Sequence, residues 1–190
     1  QDRALETIAN LIRRARTNVA DPKKPIASFM FFGPSGVGKT ETAKQLARHY
    51  FDSEKAIIRV DMSEFSEGYS VSRLVGSPAG YVGYRDSNKF TDLVRKTPYS
   101  VVLLDEIEKA NPEVFNLLLQ ILEDGHLTDA VGRTVNFKNT IIIMTSNLGL
   151  DEFSKAEKLG FGTDKTNFDS IEKNVLKEIQ NHFRPEFLNR

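Results

Sequence analysis

The sequence predicts an α/β fold with a central parallel sheet covered by helices on both faces. Three observations predict it. Short segments that are apolar throughout alternate with amphipathic helical segments, a glycine-rich turn joins the first such strand to a helix, and a later strand ends in two adjacent carboxylates. Strands that are apolar on every residue belong to sheets buried on both sides, which are the parallel ones. In such sheets ligands bind beyond the carboxyl ends of the strands, where the glycine turn and the acid pair both fall.

The elements follow in order. Leu5, Ile8, Leu11 and Ile12 recur at helical spacing over residues 4–16, with arginines on the opposite face. The turn Asp21-Pro22-Lys23-Lys24-Pro25 ends that helix. Residues 26–32 read as a buried strand, and a helix is expected from Lys39 to Tyr50. Residues 56–60 read as a second strand, ending at Asp61. The stretch 63–88, rich in Gly, Ser and Tyr, reads as short helix mixed with loops. Residues 100–104 are a third strand. Pro112 opens a helix with Val114, Leu117, Leu118, Ile121 and Leu122 on one face, and Gly125 closes it. Residues 140–145 are another apolar strand, 148–167 read as a polar surface loop, and 168–183 as a last amphipathic helix before Pro185.

Length and composition narrow the function. A chain of 190 residues with 39% hydrophobic and 27% charged residues suits one well-buried domain. Lys plus Arg equals Asp plus Glu at 26 each, so the basic surplus of a nucleic-acid binder is missing. The cluster Arg13, Arg14, Arg16, Lys23 and Lys24 reads as a solvated helix face and loop. With no cysteine, disulfides and thiol chemistry are excluded, and the composition suits a cytoplasmic protein. No apolar run approaches the roughly 20 residues that span a bilayer. The start at Gln1 has neither a secretion signal nor a Met, so the chain reads as a piece of a longer one. His49, His126 and His182 lie far apart without metal-ligand spacing.

The glycine turn carries the strongest chemistry. Gly33, Pro34, Ser35, Gly36, Val37, Gly38, Lys39 and Thr40 fit the P-loop pattern of Gly, four residues, then Gly-Lys-Thr. Glycines let successive backbone N–H groups turn inward around phosphate oxygens, where side chains would obstruct them. The following helix adds the positive end of its dipole. Lys39 can then reach the β- and γ-phosphates of ATP, and the Thr40 hydroxyl can ligate Mg²⁺.

The apolar strand Val101-Val102-Leu103-Leu104 delivers Asp105 and Glu106. Behind a P-loop, the first is expected to hold Mg²⁺ and the second to act as general base toward the attacking water. Asn147, after the next apolar strand, is placed to position that water. Asp61 reads as a helix cap acting with Ser63. Glu108 and Lys109 read as a solvated helix pair.

These residues resemble a known family. The segments 33–40, 59–65, 101–106, 127–137 and Asn147, with the ending Phe183-Arg184-Pro185-Glu186-Phe187-Leu188-Asn189-Arg190, are similar to the second AAA+ module of Clp ATPases over nearly the whole chain. The resemblance implies a AAA+ large subdomain over residues 1–190 with a five-stranded parallel sheet. A helical lid subdomain would follow Arg190, and adenine-contacting residues would precede Gln1, so the chain alone is expected to bind nucleotide weakly. It further implies ATP or ADP with Mg²⁺ as ligands, and a homo-hexamer in which Arg190 reaches a neighbour's γ-phosphate. Arg184, the alternative candidate for that role, reads as structural.

Gly80-Tyr81-Val82-Gly83 resembles the family's pore loop, which grips unfolded polypeptide. The following Arg85-Asp86-Ser87-Asn88 departs from the acidic, Gly-rich stretch usual there. Leu159-Gly160-Phe161 resembles the tripeptide with which protease-partnered Clp ATPases, such as ClpC, ClpE and ClpA, dock on a ClpP-like peptidase. The implied function is a Clp unfoldase motor that threads polypeptide to that peptidase, in the cytoplasm or an organelle lumen such as the chloroplast stroma. The alternatives are a ClpB-type disaggregase without peptidase and, against the neutral charge, a AAA+ ATPase acting on DNA. No nucleic-acid or membrane partner is expected.

Overall fold

A computed structural model of the chain describes residues 2–16, 21, 23–68, 71–76, 90–149 and 165–188. Helix α1 spans Asp2–Arg16, strand β1 Ala27–Phe32, helix α2 Lys39–Tyr50 and strand β2 Ile57–Asp61. A 3₁₀ helix at Met62–Phe65 and the short helices α3, Val71–Val75, and α4, Phe90–Lys96, lead to strand β3 at Ser100–Asp105. A second 3₁₀ helix at Ile107–Lys109 precedes helix α5, Pro112–Asp124. Strands β4, His126–Thr128, and β5, Thr134–Asn136, come next, then β6 at Thr140–Ser146. Helices α6, Lys165–His182, and α7, Pro185–Leu188, complete the order.

The main sheet runs β1-β6-β3-β2, all parallel. Every residue of β3 and β6 is buried, as their unbroken apolar runs require of central strands. Their side chains alternate between two cores. Val101, Leu103, Ile141 and Ile143 pack with Ile8 of α1 and with Ala43 and Ala47 of α2. Val102, Leu104, Ile142 and Met144 pack on the other face with Val94 of α4, Val114 and Leu118 of α5, and Val175 and Ile179 of α6.

Among the described residues this sheet has four strands, where five were expected. Only four segments of the chain are apolar enough for a sheet buried on both faces. The two further strands, β4 and β5, have three residues each and bury one apiece, Leu127 and Val135. They pair antiparallel with one another and stay off the main sheet. The turn of that hairpin is tied by Asp129, which accepts from the amides of Val131 (3.0 Å) and Arg133 (2.8 Å) and pairs with the Arg133 guanidinium. Burial pushes the Asp129 carboxyl up, but the hydrogen bonds from Arg133 and Val131 outweigh it and hold it below its usual range. Helix α4 was not anticipated, because a seven-residue helix is too short for its periodicity to stand out. Residues 165–167, expected in a loop, extend α6.

Phe183 and Phe187 stack with centroids 5.9 Å apart, Phe115 packs edge-on against both at 5.6 and 5.2 Å, and Phe32 packs edge-on against Phe183 at 6.3 Å. This cluster fastens the chain end to the β1 side of the sheet and to α5.

Gly125 ends α5 in a left-handed conformation (φ 63°). A Cβ built there would lie 1.9 Å from the Lys23 carbonyl oxygen, so the loop before β1 lies directly on it. Gly125→Ala combines a backbone cost of about 1–2 kcal/mol with an overlap costing about 1–3 kcal/mol. A fall in melting temperature of about 5–15 °C is therefore expected in thermal unfolding followed by circular dichroism. An unchanged melting temperature would show that the Lys23 carbonyl does not pack there.

Candidate functional site at the carboxyl edge of the sheet

All four parallel strands finish on one edge. Phe32 lies in register with Ser146, and Asp61 with Asp105. Because β6 sits between β1 and β3, the residue after β6 projects between the turn that follows β1 and the acids that follow β3. Strand order thus places Asn147 between Lys39 and Glu106.

The turn after β1 has the backbone that its glycines predict. Gly36 (φ 83°) and Gly38 (φ 97°) are both left-handed, a conformation that disfavours other residues. A Cβ at either position would meet nothing within 4 Å, so open space lies over both. Gly38 is the N-cap of α2 and no side chain caps that helix, which leaves the positive end of a twelve-residue helix facing the same space. An anionic group fits this cradle.

Lys39 reaches across the edge. Its ammonium donates to the carbonyls of Gly33 and Pro34 (3.1 Å for the latter) and to Asn147 Oδ1 at 2.9 Å. Burial lowers its pKa, and the carboxylates of Glu108, Asp105 and Glu106 oppose that shift in this order. It is a cation held close to three acids.

Asp105 is buried, and both of its oxygens are engaged. Oδ2 accepts from Arg59 Nε at 2.6 Å, and Oδ1 from the Thr145 hydroxyl at 2.8 Å. Each carboxylate oxygen keeps a second lone pair, so Asp105 can still accept from the water shell of a divalent cation.

Glu106 leaves the strand through a left-handed backbone (φ 56°, ψ 48°), costly for a residue with a Cβ by about 1–2 kcal/mol. Its N–H donates to Thr145 Oγ1 at 3.3 Å. Asn147 Nδ2 donates to Glu106 Oε1 at 3.4 Å, and Lys109 pairs with Oε2 at 2.5 Å. The hydrogen bond to Glu106 holds the Lys109 ammonium above its ordinary value. Adjacent acids therefore diverge, Asp105 toward Arg59 and Thr145, Glu106 toward Asn147 and Lys109.

Asp61 caps the 3₁₀ helix after β2, accepting from the Ser63 hydroxyl (2.6 Å) and amide (2.9 Å). The hydroxyl bond is the main reason its carboxyl is held below the usual range, against a smaller upward push from burial.

One sequence expectation is corrected. Glu108 and Lys109 do not form a solvated pair. Lys109 bonds to Glu106, while Glu108 Oε1 accepts the Asn147 amide at 3.1 Å and Glu108 Oε2 is buried with no partner. Helical proximity in the sequence hid this, because the contact is made across strands.

Sequence reasoning also passed over Arg59 and the Thr145 hydroxyl. Each left a signal, a charged residue inside the otherwise apolar segment 57–60 and a hydroxyl directly after the apolar run 141–144 of β6. Lys39, Asp105, Glu106 and Asn147 lie together at this edge. Arg184 is exposed, and its carbonyl accepts the Phe187 amide at the start of α7. Arg190, Gly80-Tyr81-Val82-Gly83 and Leu159-Gly160-Phe161 lie outside the described residues.

A parallel sheet with a glycine cradle, a buried aspartate and a bridging asparagine at one edge defines a nucleotide-binding class of fold. Residues 24–190 match the family described as AAA domain (Cdc48 subfamily), and the chain belongs to that family. Over 192 aligned positions it is 58% identical to the ATP-dependent Clp protease ATP-binding subunit ClpC of Staphylococcus aureus strain USA300, covering 100% of this chain and 24% of that protein. Identity to the ClpC subunit of Staphylococcus epidermidis is 56% with the same coverage. The chain thus spans about a quarter of the length of these relatives. A closed-state Hsp104 with ATPγS and FITC-casein superposes with a TM-score of 0.84 at 44% identity, over 98% of this chain and 31% of that one. An Hsp104–ADP complex from S. cerevisiae gives 0.84 at 45% identity, with the same coverage. The likeness to Clp ATPases read from the motifs extends over the whole chain.

Proposed function

We propose that residues 1–190 are the ATP-hydrolysing large subdomain of a hexameric Clp-type unfoldase, which draws polypeptide through a central pore toward a ClpP-like peptidase. The observation that carries this reading is the meeting of Lys39, Asn147 and Glu106 at the edge where the glycine cradle opens. Similarity to ClpC, an ATP-binding subunit of the ATP-dependent Clp protease, supports the peptidase partner. The cytoplasmic address read from the sequence goes with it. Among the described residues no helix is long and apolar enough to cross a membrane.

The site geometry supports the roles of the residues at the sheet edge, and the family resemblance those of the others. Backbone amides from Gly33 to Thr40 cradle the phosphates, and Lys39 exchanges its carbonyl partners for phosphate oxygens. Thr40 and Asp105 would hold Mg²⁺, which would neutralise charge on the phosphates. Glu106 takes the proton of the attacking water, and Asn147 holds that water between Glu106 and Lys39. Arg190 is assigned to reach a neighbouring subunit's nucleotide, Gly80-Tyr81-Val82-Gly83 to grip substrate, and Leu159-Gly160-Phe161 to dock the peptidase.

Degradation of a folded substrate by the full-length protein with its peptidase tests this reading in two arms. Tyr81→Ala is expected to keep ATP hydrolysis and slow unfolding by about tenfold or more, the usual scale for losing an aromatic anchor. Deleting residues 159–161 is expected to spare unfolding and abolish degradation. If both variants degrade substrate at the wild-type rate, the threading and docking assignments fail.

A further inference from the structure

We propose that Glu108 is a positioning residue, fastening Asn147 to the turn that carries Glu106 so that the water-holding amide and the general base keep their spacing. The proposal rests on the ATPase reading above and deepens it.

The backbone ladder between β3 and β6 ends at the pair Leu104 and Met144. Beyond it the two chains must part, because a crevice for the ligand opens there. Asn147 lies three residues past that last rung, and Glu106 two. With no ladder left, their spacing depends on side chains. Thr145 spans the gap first, its hydroxyl taking the Glu106 amide at 3.3 Å and donating to Asp105 at 2.8 Å. Glu108 spans it second, Oε1 accepting the Asn147 amide at 3.1 Å from within the 3₁₀ helix that Glu106 caps.

Three further facts separate this from an incidental contact. Glu108 is half-buried, in a 3₁₀ helix whose other members, Ile107 and Lys109, pack inward and pair with Glu106. Its second oxygen is buried without a partner, an arrangement that costs stability and persists where position matters more than satisfaction. The Glu108 backbone carbonyl is also engaged, by His182 Nε2 at 3.2 Å, so the segment is held from the α6 side as well. The Asn147 side chain is thereby left free to touch Lys39 and Glu106, because its backbone is already fixed.

Steady-state ATPase of the full-length protein tests this with Glu108→Ala, Glu108→Gln, Asn147→Ala and the double variant. Glu108→Ala is expected to lower kcat by about tenfold with KM for ATP within about twofold, as for loss of an interaction that matters in the transition state. Glu108→Gln keeps an acceptor for the Asn147 amide and is expected to recover to within about threefold of wild type. The double variant is expected to fall no further than Asn147→Ala alone, since residues acting as one unit are not additive. Melting curves accompany each variant. If Glu108→Ala retains wild-type kcat, if its loss lies in KM, if Glu108→Gln is as slow as Glu108→Ala, or if the two losses multiply, the positioning role is overturned. Absent ATPase in the wild type, by contrast, would overturn the enzymatic reading itself, which Glu106→Gln checks independently.

Discussion

Full-length protein carrying Glu106→Gln is expected to hydrolyse ATP at least about 100-fold more slowly while binding it with unchanged affinity within about twofold. The substitution preserves size and the acceptor that Asn147 Nδ2 reaches at 3.4 Å. It removes the basic oxygen that takes a proton from water, together with the charge that pairs Lys109 at 2.5 Å. The cradle glycines are untouched, because Gly36 and Gly38 lie in the turn between β1 and α2. Phosphate-release kinetics and equilibrium nucleotide binding, measured on the same preparation, separate the two effects. Rapid hydrolysis by the variant would remove Glu106 from the role of base and leave the acid-rich edge without its assigned function.

The second large effect is expected at the other end of the same bridge. Lys39→Ala should weaken nucleotide binding by about 100-fold, the worth of one or two charge-assisted hydrogen bonds to phosphate. Its loss acts on the empty edge too. Three carboxylates, Glu108, Asp105 and Glu106, oppose the lowering of its pKa by burial, so removing it leaves like charges close together. Wild-type protein with Mg·ADP at 100 times its dissociation constant gains about 2.7 kcal/mol, or about 5–11 °C in melting temperature. The variant is expected to lose nearly all of that rise and to melt somewhat lower without ligand. A full ligand-induced rise in Lys39→Ala would mean that the nucleotide is held elsewhere.

How much of this was legible in the sequence depends on distance along the chain. The four parallel strands were readable because 26–32, 56–60, 100–104 and 140–145 are short and mostly apolar, each bounded by turn or helix signals. The P-loop was readable because all of its chemistry is local, from Gly33 to Thr40. Asp105 and Glu106 stood out as acids at the end of such a strand. The rest was hidden by being non-local. That Thr145 binds Asp105 and Glu108 binds Asn147 depends on β3 lying beside β6, and spacing along the chain does not encode which strands adjoin. Arg59 was hidden in the same way, since its partner is 46 residues on. The expected fifth strand came from likeness to a family, with no apolar segment behind it; 127–137 instead folds back on itself because each of its strands buries only one side chain. Helix α4 escaped notice for its length alone.

The central claim is that the glycine turn between β1 and α2 closes around the phosphates of a nucleotide whose magnesium faces Asp105. Amide chemical shifts of the isotope-labelled chain, recorded as Mg·ADP is added, test it most directly. The account predicts that the largest changes fall on Gly36, Gly38, Lys39 and Thr40, with smaller ones at Asp105 that require magnesium. A titration in which nucleotide binds while those amides stay still would contradict it.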